Sequence, residues 1–391
     1  MCSQYAQYLI RNPHLDVDAD NLGFWNQAEN RRWGFRNLHW LHRHGLSLRA
    51  SHVLPLRKRI DRTIGDLARV SRLTETTMFC GMVVAQGRDV LFETYAPDFG
   101  PDMPHSMQSI TKTHLNLIYG RLIAEGRVDL EQKVEHYLPE IGSGYRGASV
   151  QQVLDMNVMN NFDEDYAAPY APWPAEGERM GYGQEEVAMN WRLPPPGHPG
   201  IGVRELAVAL TDDGTTNPDN LMHYKSANTD LAGWIAENES GRDLKAHLVE
   251  IVNAAGLENT FHISLDRDFV PVLSGGGLMT TRDMARYGLL FARGGMGVDG
   301  NLVGDPAFIE TTRNDRGTYL EGPRGDQRYS NQMFTNGSWV GHGGYGGQFL
   351  MADPDKEAAV AFFSVLETSH AQDESYLPEV IAMSQEILAR L

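Results

Sequence analysis

The chain has 391 residues, 41% hydrophobic and 22% charged, with 40 Gly and 19 Pro. That is long enough to bury a large core, in two or so domains or in one domain with a large insertion. A formal charge of −17 at pH 7 argues against nucleic acid or anionic membrane as a main partner, since both select clustered positive charge.

The opening stretch "MCSQYAQYLIRNPHLDVDAD" lacks the basic start and apolar centre of a signal peptide. No apolar run approaches the ~18 residues of a membrane span. Cys2 and Cys80 are the only cysteines, too few for a secreted disulfide framework. Free thiols in the cytoplasm are the expectation. From Trp25 to Arg49 the pattern is irregular. His39, His42 and His44 lie there without the carboxylate or cysteine spacing of a metal site, so packed or solvated rings are expected.

Residues 57–73, "RKRIDRTIGDLARVSRL", carry apolar positions at helical spacing and predict one helix. Residues 81–96, "GMVVAQGRDVLFETYA", predict a hairpin turning at Gln86-Gly87-Arg88-Asp89. "HSMQSITKTHLNLIYG", 105–120, then opens a helix whose apolar side holds Leu115, Ile118, Leu122 and Ile123, with Gly126 as its stop. From 127 to 262 the chain reads as mainly helical, broken by the Pro/Gly-rich loops "AAPYAPWPAEGE" and "RLPPPGHPGIG". "SGGGLMTTRDMARYGLLFARGG", 274–295, reads as a Gly-rich turn, a capped helix and a turn. Two strands around Asp353-Pro354-Asp355 and a terminal helix close the chain. Strands at both ends and helices between them predict an α/β fold. Its parts are an N-terminal portion at 1–104, a mainly helical domain at 105–262 and a C-terminal portion at 263–391.

Three short stretches carry chemistry. Ser109 and Lys112 form the only Ser-x-x-Lys, in a chain with 6 Lys against 28 Arg. Spacing i, i+3 puts both on one helix face. A serine hydroxyl needs a base to become a nucleophile, and a buried lysine can lose its proton and supply one. A surface Ser and Lys is the plain alternative. Tyr224 opens "YKSANTD", just before a helix; a phenol beside an ammonium group can ionise in part and shuttle a proton. Its plain alternative is a packed tyrosine ahead of a helix cap. "GHGGYGG", 341–347, is a strand edge that lets a backbone or ligand approach closely, and its N–H could join that of Ser109 in an oxyanion hole.

Taken in order, these stretches resemble the penicillin-recognising serine hydrolases, whose motifs include Ser-x-x-Lys and Lys-Thr-Gly. The chain is most similar to the class C β-lactamase-like group and, within it, to the nylon-oligomer (aminohexanoate-dimer) hydrolases. "RRWGFRNL", "SITK", "VQQVLDMN", "DEDY", "YKSANTDLAGWI", "GGG" and "TRDMARYG" carry the likeness. It implies a β-lactamase-like fold, with an antiparallel sheet flanked by helices beside a mainly helical domain.

The resemblance also implies roles. Ser109 is the acylated serine, Lys112 its motif lysine and Tyr224 the second-motif tyrosine. Ser226 stands where β-lactamases have Asn. His342 replaces the strand lysine, Gly344 keeps the glycine, and the Tyr345 N–H completes the oxyanion hole. Tyr166 contacts the substrate amide. Glu176 and Glu178 could meet a substrate ammonium group, with solvated loop carboxylates as the alternative. With no fixed cation at 342, efficient β-lactamase or D,D-peptidase activity is not expected. The expected function is hydrolysis of small esters or linear amides through an acyl-enzyme, with no metal or organic cofactor. A β-lactamase, an acyltransferase and a catalytically silent sensor module stay open as rivals, and so does a homodimer.

Overall fold

The computed structural model describes residues 25–166, 172–175, 177–314, 317–371 and 373–391. Its larger sheet has nine strands, drawn from both ends of the chain. Their order is Thr318–Tyr319, Arg328–Ser330, Met333–Thr335, Val340–Gly344, Gln348–Asp353, Ala358–Ser364, Phe79–Gln86, Asp89–Tyr95 and Arg57–Lys58. Every neighbouring pair is antiparallel except the last, which is parallel. The central strands are buried along nearly their whole length because helices cover both faces. Helix Thr281–Ala292 covers one; Ala68–Thr74 and Tyr376–Leu388 pack on the sheet as well. Gly288 permits the close approach of Thr281–Ala292, since a Cβ there would lie 2.7 Å from Ala359 Cβ.

A second sheet of four strands joins Gly45–Leu48, Phe261–Ser264, Gly277–Met279 and His105–Ser106. Between the sheet-forming segments lies the helical part, centred on Ser226–Ser240 against His114–Ala124. Gly126 is the expected stop, and Gly241 and Gly256 end helices in the same way; all three adopt positive φ. Ser149 caps Val150–Leu154 in a reciprocal capping box with Gln152. No helix among the described residues is long and apolar enough to cross a membrane.

The single helix predicted at 57–73 does not form. Arg57–Lys58 pairs with Asp89–Val90 instead, and two short helices follow, Arg62–Gly65 and Ala68–Thr74. Asp61 is the physical reason: its carboxylate accepts from Thr63 N–H at 2.9 Å and so starts a helix where the longer one would have continued. The hairpin at 79–95 turns through Gly87 at φ 57, as its sequence requires. The three histidines are packed. His39 stacks on His262, His42 on Trp191 and His44 on Phe269. Cys80 is a buried free thiol, and Cys2 lies outside the described residues.

Candidate active site

Ser109 sits on a 3-10 turn, Gln108–Thr113, that runs on into the α-helix His114–Ala124. In a 3-10 turn, side chains three residues apart eclipse one another, so the spacing places Lys112 directly behind Ser109. Gln108 ahead of it has φ 49, a conformation uncommon outside glycine. Its side-chain amide is held on Ser106 Oγ at 2.8 Å. Gln108, Ile110, Thr111, Lys112 and Thr113 are buried, and Ser109 alone in the turn stays half open.

Lys112 is 0% exposed. Its Nζ lies 3.2 Å from Ser109 Oγ and 2.7 Å from Ser226 Oγ, and it also contacts the Ser274 carbonyl. Ser226 Oγ donates its own proton to Glu164 Oε1 at 2.8 Å, so toward Lys112 it accepts. The Ser274 carbonyl can only accept. Once Lys112 has lost a proton, these two partners can take both remaining N–H bonds and leave the lone pair for the Ser109 O–H. Burial lowers Lys112 from its ordinary 10.5, against the opposing pull of Glu164, Glu185 and Asp230.

Tyr224 places its ring 5.0 Å from Lys112 Nζ. Its buried hydroxyl closes no hydrogen bond, although the nearby Ser109 hydroxyl acts on it. Burial holds the phenol well above its ordinary value, with Tyr329 and Glu164 adding to the effect. The partial ionisation expected from the sequence is therefore corrected: Lys112 is itself desolvated and does not offset the burial. Tyr224 stands as a protonated donor.

Aromatic rings wall the cleft above Ser109. Tyr166, Tyr182, Trp191 and Tyr345 all line it, with Glu164, Ser226 and Ser274. The Tyr166 ring meets Tyr182 at 4.6 Å and Tyr345 at 5.1 Å, and its hydroxyl donates to Glu164. Gly344 brings its strand against the nucleophile turn, where a Cβ would lie 2.4 Å from the Met107 carbonyl. "RRWGFRNL" serves the same wall from outside. Buried Arg31 ties its helix to the carbonyls of Leu366 and Thr368 at 2.7 Å, and Phe35 packs against Tyr345.

His342 takes another position. It is 1% exposed and outside the cleft lining. Nδ1 is 2.6 Å from the Gly343 carbonyl, and Nε2 is 3.1 Å from the Tyr329 hydroxyl. The carbonyl must accept, so Nδ1 carries the proton and Nε2 accepts from Tyr329. Burial, with the Lys112 charge, lowers the ring well below 6.5. A neutral, fully bonded imidazole does not replace a lysine cation even in part. Glu178 is exposed, accepts from the Ala175 N–H at 3.0 Å and does not line the cleft. Glu176 lies outside the described residues.

Sequence reading does not reach Glu164, Glu185, Asp230 or Ser274. Glu164 alone carries a signal, two residues before Tyr166 in "DEDY". Glu185 is 0% exposed, and neither carboxylate oxygen has a hydrogen-bond partner among the described residues. Burial raises it well above 4.5, and Glu164 and Asp230 push the same way. The native state then binds this proton more tightly than the unfolded chain. Stability falls as pH climbs from 4.5 through the folded value. Glu185→Gln cannot ionise. At pH 8 it is expected to melt a few degrees above wild type, for a gain of about 1–3 kcal/mol, and the gap should close below pH 4.5. Parallel melting curves at every pH would count against an unpartnered Glu185.

The family model described as Beta-lactamase matches residues 70–381. The chain belongs to the β-lactamase family. It is 30% identical over 374 residues to a 6-aminohexanoate-dimer hydrolase of Paenarthrobacter ureafaciens, covering 92% of this chain and 91% of that protein. Among solved structures, a candidate 6-aminohexanoate-dimer hydrolase of Bacillus anthracis superposes with TM-score 0.78 at 20% identity, over 94% of this chain and 95% of that one. A class C β-lactamase variant superposes with TM-score 0.57 at 13% identity, over 84% and 96%. The β-lactamase-like fold expected from the motifs is the fold observed. It is a hydrolase family; of the motif residues, Ser109 lines the cleft, with Lys112 Nζ 3.2 Å from its Oγ and the Tyr224 ring 5.0 Å from that Nζ.

Proposed function

We propose that this β-lactamase-family protein is a serine hydrolase that cleaves linear amides and small esters through an acyl-enzyme on Ser109. The observation that carries this reading is the buried Lys112 Nζ, 3.2 Å from Ser109 Oγ and held by two neutral acceptors, Ser226 Oγ and the Ser274 carbonyl. Lys112 takes the Ser109 proton as Oγ attacks the carbonyl carbon. The N–H groups of Ser109 and Tyr345 receive the oxyanion. The Tyr224 phenol passes a proton to the leaving group and is restored from Lys112. Water then releases the acyl group. A free buried Cys80 fits a reducing compartment, so the cytoplasm is the proposed setting.

Amide cleavage is supported by the Paenarthrobacter ureafaciens relative, named for hydrolysis of the 6-aminohexanoate dimer. β-Lactam turnover is not, because the neutral His342 offers no cation for a carboxylate. The deciding experiment is a panel of p-nitrophenyl esters, nitrocefin and a linear aminohexanoate dimer. Turnover of esters and dimer without nitrocefin is expected. Rapid nitrocefin turnover would replace this reading with a β-lactamase.

Amides leave poorly unless their nitrogen is protonated, and Tyr166, which lines the cleft, is the residue we propose to assist Tyr224 there. To do so it must leave Glu164. Tyr166→Phe is expected to depress kcat/KM for an amide about 10-fold more than for a matched ester. Equal losses on both would reduce Tyr166 to a wall of the pocket.

A further inference from the structure

Lys112 reaches two carboxyl groups, the half-buried Glu164 and the buried Asp230, each through one serine. On one side, Ser226 Oγ accepts from Lys112 and donates to Glu164. On the other, the Ser274 carbonyl accepts from Lys112, while the Ser274 N–H and O–H both go to Asp230 at 3.1 and 2.7 Å. Glu164 belongs to the cleft wall. Asp230 does not; it is 5% exposed, and its hydrogen bonds come from Ser274. Ser226 and Asp230 stand four apart on helix Ser226–Ser240, on one face. One helix thus supplies a member of each arm.

We infer that Asp230 is a positioning residue for the reaction: through Ser274 it fixes the carbonyl that orients Lys112, and it sets how readily Lys112 carries charge. This rests on the proposed role of Lys112 as base. The groups facing Lys112 are Glu164, Glu185, Asp230, Tyr224 and His342. Tyr224 and His342 are neutral, and burial pushes Glu185 toward its protonated form. Glu164 is raised by burial and drawn back by Lys112 and by its three donors. Asp230 is raised as well. Burial pushes it up to about 7, Ser274 and Lys112 pull it down, and Asp266 behind it pushes it up again. Once ionised, Asp230 favours the charged ammonium and delays the neutral amine to higher pH. Removing its charge should let Lys112 become neutral at lower pH.

The test is the rate at which a fluorophosphonate labels Ser109 between about pH 5 and 10, a range that spans the ordinary lysine and carboxyl values. In wild type the rate should rise with pH as Lys112 loses its proton. In Asp230→Asn that rise should move to lower pH by about one unit, and Asp230→Glu should return it toward wild type. Ser274→Ala keeps the carbonyl and removes one donor to Asp230, so a smaller shift in the same direction is expected. It serves as the decisive variant if Asp230→Asn fails to fold. A rise at the wild-type pH in these variants, whatever their absolute rates, would overturn the inference and leave the proposed function standing. Absence of labelling in wild type would overturn the proposed function, and with it the base on which Asp230 acts.

Discussion

Ser109→Ala is expected to abolish turnover, with a loss on the order of 10⁶ in kcat, the scale seen when a nucleophile that works as a unit with its base is removed. The competing candidate is Ser226, whose Oγ lies nearer Lys112, at 2.7 Å against 3.2 Å. Distance alone would favour it. Its hydroxyl proton is committed to Glu164, however, and the residue is 4% exposed. Ser274 is buried as well, with its hydroxyl on Asp230. Ser109 alone among the three is half open on the cleft, and its Oγ lies within hydrogen-bond reach of Lys112 Nζ. Peptide mapping after fluorophosphonate treatment should find the label on Ser109, and Ser226→Ala protein should still take it up there. A label on Ser226, or an active Ser109→Ala protein, would reassign the nucleophile.

Lys112→Met is expected to lower the acylation rate by about 10⁴, the upper range for a general base, while the protein stays folded. Methionine fills a similar volume and brings no lone pair of comparable basicity. Stability should move the other way. The folded lysine holds its proton less tightly than the unfolded chain does, so wild-type stability rises with pH from the folded value toward 10.5. Lys112→Met lacks that penalty. It should melt above wild type at neutral pH, with the gap narrowing as pH nears 10.5. An inactive protein with raised stability is the pattern of a residue kept for catalysis at the expense of the fold. An active Lys112→Met protein would leave the lysine a structural role only.

Local order along the chain was legible where short-range chemistry decides it. The hairpin at 79–95 follows from two β-rich runs and a glycine that can take φ 57. The stops at Gly126 and Gly241 follow from the same conformational freedom. The break at Asp61 was not read, because a cap competes with apolar spacing over a few residues and the winner depends on the strand pairing of Arg57–Lys58. Ser109, Lys112 and Tyr224 were legible as motif residues, since their spacing and order survive in the linear string. Their states were not. Whether Lys112 is neutral, Tyr224 protonated or His342 uncharged depends on burial and on partners far along the chain: Ser226, Ser274 and Tyr329. Glu185 and Asp230 look in the sequence like any helical carboxylate. Desolvation makes them unusual, and desolvation is a property of the packed molecule. The sequence by itself determined the motif order and the bounds of a few elements, among them the hairpin at 79–95 and the terminal helix, but not the helix Ala28–Leu41 in a stretch that reads as irregular. Only the tertiary structure decided which titratable groups share one buried cluster, and therefore which of them carry charge.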